Sequence, residues 1–427
     1  MDDSFRFAQI VQAISEEDTR KRMTDVVKTV ENGGVTTPEG FTAGAVNAGI
    51  RSSRPDMALL LSENDAASAG VFTTNRVFAA PVALCRKTLS HGNARAIIVN
   101  SGNANACTGA QGMRDAQKMV SIAASELGVP EESIFVCSTG TIGIPLPMDK
   151  IEAGIPLAAA ALNAEGGHDA ACAIMTTDTV PKETAVSMNI DGQTIHIGSM
   201  AKGSGMIEPN MATMLAFITT DALVEPEALQ ACLSDCVSRT FNAITVDGDQ
   251  STNDTVLLLA NGMAGNHPLS PDHPQWKTFA TAVEQVCMTL ARAIVKDGEG
   301  ATKLVSVTVQ NAASDADAAK AAKAIANSLL CKTAWFGGDP NWGRVIAAVG
   351  YSGANVQQDS IDIRFSGLSA VAGGQLSPDT SLEALAAVYA QDEFEITVDL
   401  HIGDGSATVL TCDCSYDYVR INADYMT

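Results

Sequence analysis

Positive charge, histidine and aromatic residues are all scarce in this chain. Its 427 residues include 27 Lys and Arg against 49 Asp and Glu, a formal charge of −22. That leaves no basic footprint for a nucleic acid or an anionic membrane surface, although bulk charge does not fix the field inside a pocket and an anionic substrate stays open. Six histidines are scattered with no H-E-x-x-H pair and no local cluster, which argues against a metal or a histidine-based catalytic centre. No apolar run reaches the ~18 residues of a membrane span. Ten cysteines contain no C-x-x-C pair, so neither a zinc site nor a disulfide scaffold is indicated. Cys232 and Cys236 fall on one helical face, and Cys412 and Cys414 alternate along a strand-like segment; both pairs read as small-hydrophobe packing. Residues 1–23, MDDSFRFAQIVQAISEEDTRKRM, carry acidic residues and no apolar centre, unlike a secretory signal or a transit peptide. The expectation is a cytoplasmic protein without metal, nucleic-acid or membrane partners.

What is present is globular: 46% hydrophobic residues with 18% charged, in a chain long enough for two or three cores, since single cores stop growing near ~250–300 residues. Residues 1–32 read as an amphipathic, charged helical extension, and GGVTTPEGF at Gly33 to Phe41 marks the start of the folded body. The runs ALLLS, RAIIVN, SIFVCST and AIMTTD have strand character. Between them DAQKMVSIAASELGV reads as a helix that stops at Gly128 and Pro130. This alternation predicts an α/β protein. AVSMNIDGQTIHIGSM alternates around Asp191-Gly192, and EITVDLHIGDGSATVLTCDCSY around Asp404-Gly405. Both predict hairpins, so antiparallel pairing is mixed in and a purely parallel doubly wound sheet is disfavoured. PEALQACLSDCVSRTFNAI, QWKTFATAVEQVCMTLARAIV and AAKAAKAIANSLL are three further helices. There is no internal repeat.

The segment KGSGMIEPNMATMLAF, Lys202 to Phe217, carries the sharpest chemical signal. It is not a Walker A loop, because Lys202 precedes the glycines, and Pro209 interrupts where a dinucleotide-binding helix would run. A glycine- and proline-marked loop leads straight into an apolar strand with one hydroxyl, Thr213. An internal threonine is a weak nucleophile without a neighbouring base. If the Ala212–Thr213 bond is cut, the new α-amine, with an ordinary pKa of about 7.7–8.0, can take the proton of its own Oγ. One residue then supplies nucleophile and base; the plainer reading is a β-branched residue opening a strand. CSTGTIG at Cys137 to Gly143 follows a strand-like run, where backbone N–H groups able to hold an oxyanion converge. DGDQSTND at Asp247 to Asp254 lacks the glycine and glutamate of a calcium loop and is either a polar turn or the wall of an active site. DPNWG at Asp339 to Gly343 is a turn, with Trp342 free to pack or to line a pocket.

Taken together, GGVTTPEGF, FTTNRV, VNSGNANACTG, STGTIG, MTTD, KGSGMIEPNMATML, DGDQSTND, KDGEGATK, GDPNWGR and INADYMT resemble the ornithine acetyltransferase family, also called the bifunctional glutamate N-acetyltransferase family of arginine biosynthesis. The resemblance runs from Gly33 to Thr427. It implies a mixed-sheet α-β-β-α sandwich of the ornithine acetyltransferase/aminopeptidase type with a smaller C-terminal lobe. It implies self-cleavage between Ala212 and Thr213, giving an α chain (33–212 after the 1–32 extension) and a β chain (213–427), assembled as a dimer of αβ units, a heterotetramer. Thr213 would be the nucleophile, and Thr139 and Gly140 the oxyanion hole. Thr177, Lys202, Thr213, Glu299, Asn422 and Thr427 would bind substrate, with Thr176 beside Thr177 as an alternative. The implied reaction moves acetyl from N2-acetylornithine to glutamate through an acetyl-threonine, with no cofactor and with acetyl-CoA open as a further donor. Lys202 can pair with the α-carboxylate common to both substrates, and Glu299 can hold a cationic side chain or orient the attacking amine. Departures from the family are the long N-terminal extension, Met426 in the last block, and Glu208, whose charge lies close to the scissile bond. The rival readings are an N-terminal-nucleophile amidase or aminopeptidase of the same fold, and a non-catalytic metabolite-binding protein.

Overall fold

A computed structural model describes residues 26–208 and 214–424; the expectations placed on residues 1–25, Ala212, Thr213 and Thr427 lie outside the described residues. The strands of the first part are β1 (Lys28–Val30), β2 (Phe41–Val46), β3 (Met57–Phe72), β4 (Asn93–Asn103), β5 (Ile134–Thr141), β6 (Lys182–Ile190), β7 (Gln193–Lys202), β8 (Leu215–Thr220), β9 (Ile244–Thr245) and β10 (Thr255–Ala260). All but β9 form one nine-stranded sheet in the order β1-β6-β7-β8-β10-β3-β4-β5, with β2 paired to β3. Most pairs are antiparallel, while β8 with β10 and β4 with β5 run parallel.

Alternation along the strands explains the layers. Ala58 and Leu60 of β3, Ile97 and Val99 of β4, Phe217 of β8 and Leu257 and Leu259 of β10 meet in one cluster. Inward faces from both halves of the sheet therefore pack on each other. Of the outward faces, Leu59 and Ile98 pack against the helices Gly109–Leu127 and Met148–Ala160. Ile197, Ile218 and Leu258 pack against the helices Pro226–Arg239 and Trp276–Lys296. The order helix, sheet, sheet, helix is the α-β-β-α sandwich expected. The Trp276–Lys296 helix is apolar and long enough to cross a membrane by length and composition, but Phe279, Val283, Val286, Leu290 and Ile294 bury its apolar stripe in this core.

The smaller C-terminal lobe adds β11 (Leu304–Ala312), β12 (Asp362–Phe365), β13 (Leu368–Ala372), β14 (Gln375–Leu376), β15 (Glu393–Asp399) and β16 (Gly405–Cys412). With β9 they form a seven-stranded sheet, order β14-β13-β12-β15-β11-β16-β9. The helix Asp315–Ala326 packs on it through Ala318, Ala321, Ala322 and Ile325.

Three sequence expectations are corrected. Lys28–Val30, inside the predicted helical extension, is a strand, because its backbone pairs with Ala185 to Ser187 of β6. The 395–416 segment is not a hairpin: β11 lies between β15 and β16, parallel to one and antiparallel to the other. The connection crosses the end of β11, where the amides of Leu400, Ile402 and Gly403 donate to the carbonyls of Gln310 and Asn311. AIMTTD is not a strand either. After Ala173 the chain is irregular, and its polar backbone is satisfied by side chains: Arg51 donates to the carbonyls of Met175 (2.5 Å) and Thr176 (3.1 Å). The hairpin at Asp191-Gly192 forms as predicted, both residues taking positive φ, 55° and 81°, as a two-residue hairpin turn requires. Trp342 packs against the C-terminal core, and Asn341 caps its helix through Arg344 N–H (3.2 Å).

Candidate active site

A cavity of about 200 Å³ lies where β5, β7 and the loops after β9 meet the C-terminal helix Tyr416–Asp424. Thr139, Gly140, Thr177, Lys202, Glu299 and Asn422 all line it, and Thr176 lines it beside Thr177.

The oxyanion candidates sit at the end of β5, where its parallel pairing with β4 breaks into a bulge at Asn103. Gly140 has φ +131°, and a Cβ there would lie 2.4–2.7 Å from the backbone of Gly102 and Asn103. Only glycine lets the two strand ends approach so closely. Asn253 ties this corner together: its amide nitrogen donates to the carbonyls of Ala104 (2.6 Å) and Ser138 (2.8 Å). Ser138 Oγ in turn donates to Asn100 Oδ1 (2.6 Å).

Lys202 closes β7 and is buried, as are Lys182 and Asp178. The Lys182 ammonium pairs with Asp178 (2.7 Å) and Asp297 (2.6 Å). Asp178 also accepts the amides of Gly203 (2.7 Å) and Thr176 (2.9 Å), so one carboxylate fixes both the residue after Lys202 and the MTTD loop. Burial would raise the Asp178 pKa, but Lys202, Lys182 and these hydrogen bonds outweigh it and hold the carboxyl far below the usual range. For Lys202 burial dominates and lowers its pKa, while Asp178, Asp254 and Glu299 oppose the fall. Among the described residues the direct ion pairs of this cluster are made by Lys182; Lys202 lines the cavity, where an ammonium can meet an incoming anion.

Glu299 lines the same cavity. Its amide donates to Ser204 O (3.0 Å), and Asn422 Nδ2 donates to its carboxylate (2.7 Å). A Cβ on Gly205 would come within 2.4–2.5 Å of that carboxyl group, so the glycine of KGSG makes room for Glu299. The cavity thus brings a cation and a carboxylate together, along with the tight glycine turn at the strand ends.

Residues not named individually as site residues from the sequence also line it: Met206, Asp247, Asp249 and Asn253, all inside quoted motifs, and Tyr418. Burial, with Asp247, Asp249 and Glu299 around it, pushes the Tyr418 phenol well above its usual range. Both readings of DGDQSTND are realised: the stretch lines the cavity, and Asp247 and Asp254 accept neighbouring backbone amides. Among the described residues no group of three or more His, Cys, Asp or Glu is arranged to hold a metal ion.

The ArgJ family matches residues 42–427. A relative from Symbiobacterium thermophilum, "Arginine biosynthesis bifunctional protein ArgJ", is 53% identical over 399 residues, covering 92% of this chain and 99% of that protein. One of the same description from Geobacter sulfurreducens is 52% identical over 390 residues, covering 91% and 99%. Among solved structures, ornithine acetyltransferase from Mycobacterium tuberculosis complexed with ornithine is 42% identical, covers 44% of this chain and 99% of that one, and has a TM-score of 0.41.

Proposed function

This chain belongs to the ArgJ family, and on that premise we propose that it transfers acetyl from N2-acetylornithine to glutamate after cutting itself between Ala212 and Thr213. It is an arginine-biosynthetic acetyltransferase; the ping-pong course, the cut and the assignment of residues are the reading offered here. The observation that carries it is the single cavity shared by Thr139, Gly140, Thr177, Lys202, Glu299 and Asn422.

The freed Thr213 amine takes the Oγ proton as Oγ attacks the acetyl carbonyl carbon. The developing oxyanion is held by Thr139 and Gly140, a kind of contact whose loss typically costs 10²–10³ in rate. The C–N bond of acetylornithine breaks, the proton goes to the departing amine, and ornithine leaves. The glutamate α-amine then attacks the acetyl-threonine ester, which returns the proton to Oγ and gives N-acetylglutamate. Lys202 receives the α-carboxylate of either substrate. Glu299, held by Asn422, receives the cationic end of ornithine or orients the attacking amine. Thr427 is assigned to substrate binding by the resemblance alone. Acetyl-CoA can load the same threonine, a second activity in keeping with the description of the relatives as bifunctional. The α and β chains stay associated, as a dimer of αβ units.

The test is intact mass under denaturing conditions, beside a Thr213→Ala control, followed by acetyl-transfer assays. Two fragments, the second beginning TMLAF, with N-acetylglutamate formed from acetylornithine, support the reading. Free acetate in place of N-acetylglutamate would favour an amidase. A single intact wild-type chain would favour a binding protein.

A further inference from the structure

The helix Tyr416–Asp424 has no buried residue of its own and is set against the cavity by contacts to the turn at Glu299 and Gly300. Ser415 Oγ donates to Gly300 O (2.6 Å), and the Asp417 amide donates to Ser415 Oγ (3.1 Å). A Cβ on Gly300, whose φ is +67°, would lie 2.6 Å from the Tyr418 nitrogen, so glycine lets the helix start this close. Four residues apart on one helix, Tyr418 and Asn422 share a face, and both line the cavity. Their polar groups are used differently. Asn422 Nδ2 donates to Glu299 (2.7 Å) and to the Tyr418 carbonyl (3.0 Å). Among the described residues the Tyr418 hydroxyl has no hydrogen-bond partner.

Burial, with the charges of Asp247, Asp249 and Glu299, keeps this phenol protonated. The hydroxyl is therefore a neutral group that can both donate and accept a hydrogen bond. On the function proposed above, both substrates bring an α-carboxylate to Lys202, and their other ends differ in sign: a δ-ammonium in N2-acetylornithine, a γ-carboxylate in glutamate. Glu299 attracts the first and repels the second. Neither amide side chain of the lining can serve the γ-carboxylate, because Asn422 donates to Glu299 and the Tyr418 carbonyl, and Asn253 to the carbonyls of Ala104 and Ser138. Tyr418 stands on the same helix face as the amide that holds Glu299 and carries a hydroxyl with no such commitment.

We infer that the Tyr418 hydroxyl determines specificity at the side-chain end of the substrate: it donates to the γ-carboxylate of glutamate and accepts from the δ-ammonium of acetylornithine beside Glu299. The inference rests on the acetyl-transfer reading given above. A hydroxyl reverses its role by rotating about one C–O bond, with no proton gained or lost. A carboxylate or an ammonium in its place would suit one substrate and exclude the other. The order of the cycle gives the reversal a use, since the same region takes a cation in the first half-reaction and an anion in the second.

The experiment compares glutamate with norvaline, which has the same chain length and ends in a methyl group, as acetyl acceptors for wild type and Tyr418→Phe, with acetylornithine as donor. Loss of one hydrogen bond to a charged group should cut the preference for glutamate, the ratio of the two kcat/KM values, ~10-fold or more. KM for acetylornithine, whose ammonium keeps Glu299, should move much less. Intact mass and melting temperature should match those of wild type, which separates a specificity role from a structural one. Should the Phe variant fail to fold, Tyr418→Gln and Tyr418→Leu decide: Gln, neutral and able to donate and accept, should keep the larger share of the preference. An unchanged glutamate-to-norvaline ratio in Tyr418→Phe, equal rises of KM for both substrates, or equal ratios for Gln and Leu overturn the inference while acetyl transfer stands. A wild-type protein that forms no N-acetylglutamate from acetylornithine removes the proposed function and this inference with it.

Discussion

Replacing Asp178 with Asn tests whether the charge cluster behind the cavity sets both stability and substrate affinity. Asp178 is 1% exposed and Lys182 2%, so their 2.7 Å pair lies where removing one partner costs ~3–5 kcal/mol. Lys182 keeps Asp297 at 2.6 Å, which places the loss at the low end, ~3 kcal/mol. At ~2 °C per kcal/mol for a large domain the melting temperature should fall by about 6 °C. The amides of Gly203 and Thr176 can turn to the Asn carbonyl oxygen, so the backbone survives. Lys202 loses the first of the charges that support its protonated form, and its pKa falls further. KM should therefore rise for both acetylornithine and glutamate, the two substrates that share an α-carboxylate, with less effect on kcat. Differential scanning calorimetry and steady-state kinetics read the two effects. An unchanged melting temperature together with an unchanged KM would refute the idea that Asp178 is the anchor of the site.

Further outcomes follow from the same geometry. Gly205→Ala puts a methyl group 2.4–2.5 Å from the Glu299 carboxyl group; the displaced side chain should raise KM for acetylornithine ~10-fold or more, about the worth of one charged hydrogen bond. Gly140→Ala meets the backbone of Gly102 and Asn103 at 2.4–2.7 Å, and acetyl transfer should fall ~100-fold or more as the oxyanion corner opens. Asn253→Leu strips the Ala104 and Ser138 carbonyls of their donor; at ~1–3 kcal/mol for each unsatisfied group, it should lower both melting temperature and kcat. In acid, Asp178 contributes stability that is fully present above its unfolded pKa of about 3.9 and is lost as pH falls toward its depressed folded value, so the wild-type acid unfolding limb should be shallower in Asp178→Asn. In base the slope has the same sign for Lys202: its lowered folded pKa means that stability from this group rises as pH climbs toward the unfolded value of about 10.4.

How much was legible in the sequence depended on the range of the interaction. The β6–β7 hairpin is set by a two-residue turn and two alternating strands, all local, and it forms as expected. The same pattern at Asp404-Gly405 misleads because the partner of both strands, β11, lies far away in sequence. AIMTTD looks like a strand by composition, yet a distant arginine, Arg51, and Asp178 within the run supply the hydrogen bonds that a ladder would have. At the site, Lys202 and Glu299 were reached through resemblance, and the fold brings them to one cavity. Asp254 was legible only as the last residue of a polar turn or site wall; a further signal is that it stands immediately before six buried strand residues, Thr255 to Ala260, where a charged side chain is costly unless hydrogen-bonded.

On the function proposed above, one short stretch bears on both the cut and the transfer. Asp247 and Asp254 hold the backbone before and after residues 209–213, while Asn253, next to Asp254, holds the strand ends that carry Thr139 and Gly140. Because Asn253 and Asp254 are adjacent in one backbone, their hydrogen bonds tie the Gly140 corner to Met214 through a short run of chain. A nucleophile freed at residue 213 would emerge already registered to the groups meant to stabilise its transition state, and the entropy of bringing them together would be met at folding rather than at each turnover. That arrangement has a consequence for variants: a substitution that shifts this stretch should impair self-cleavage and acetyl transfer together, whereas changes at Lys202 or Glu299 should weaken substrate binding and leave the cut intact.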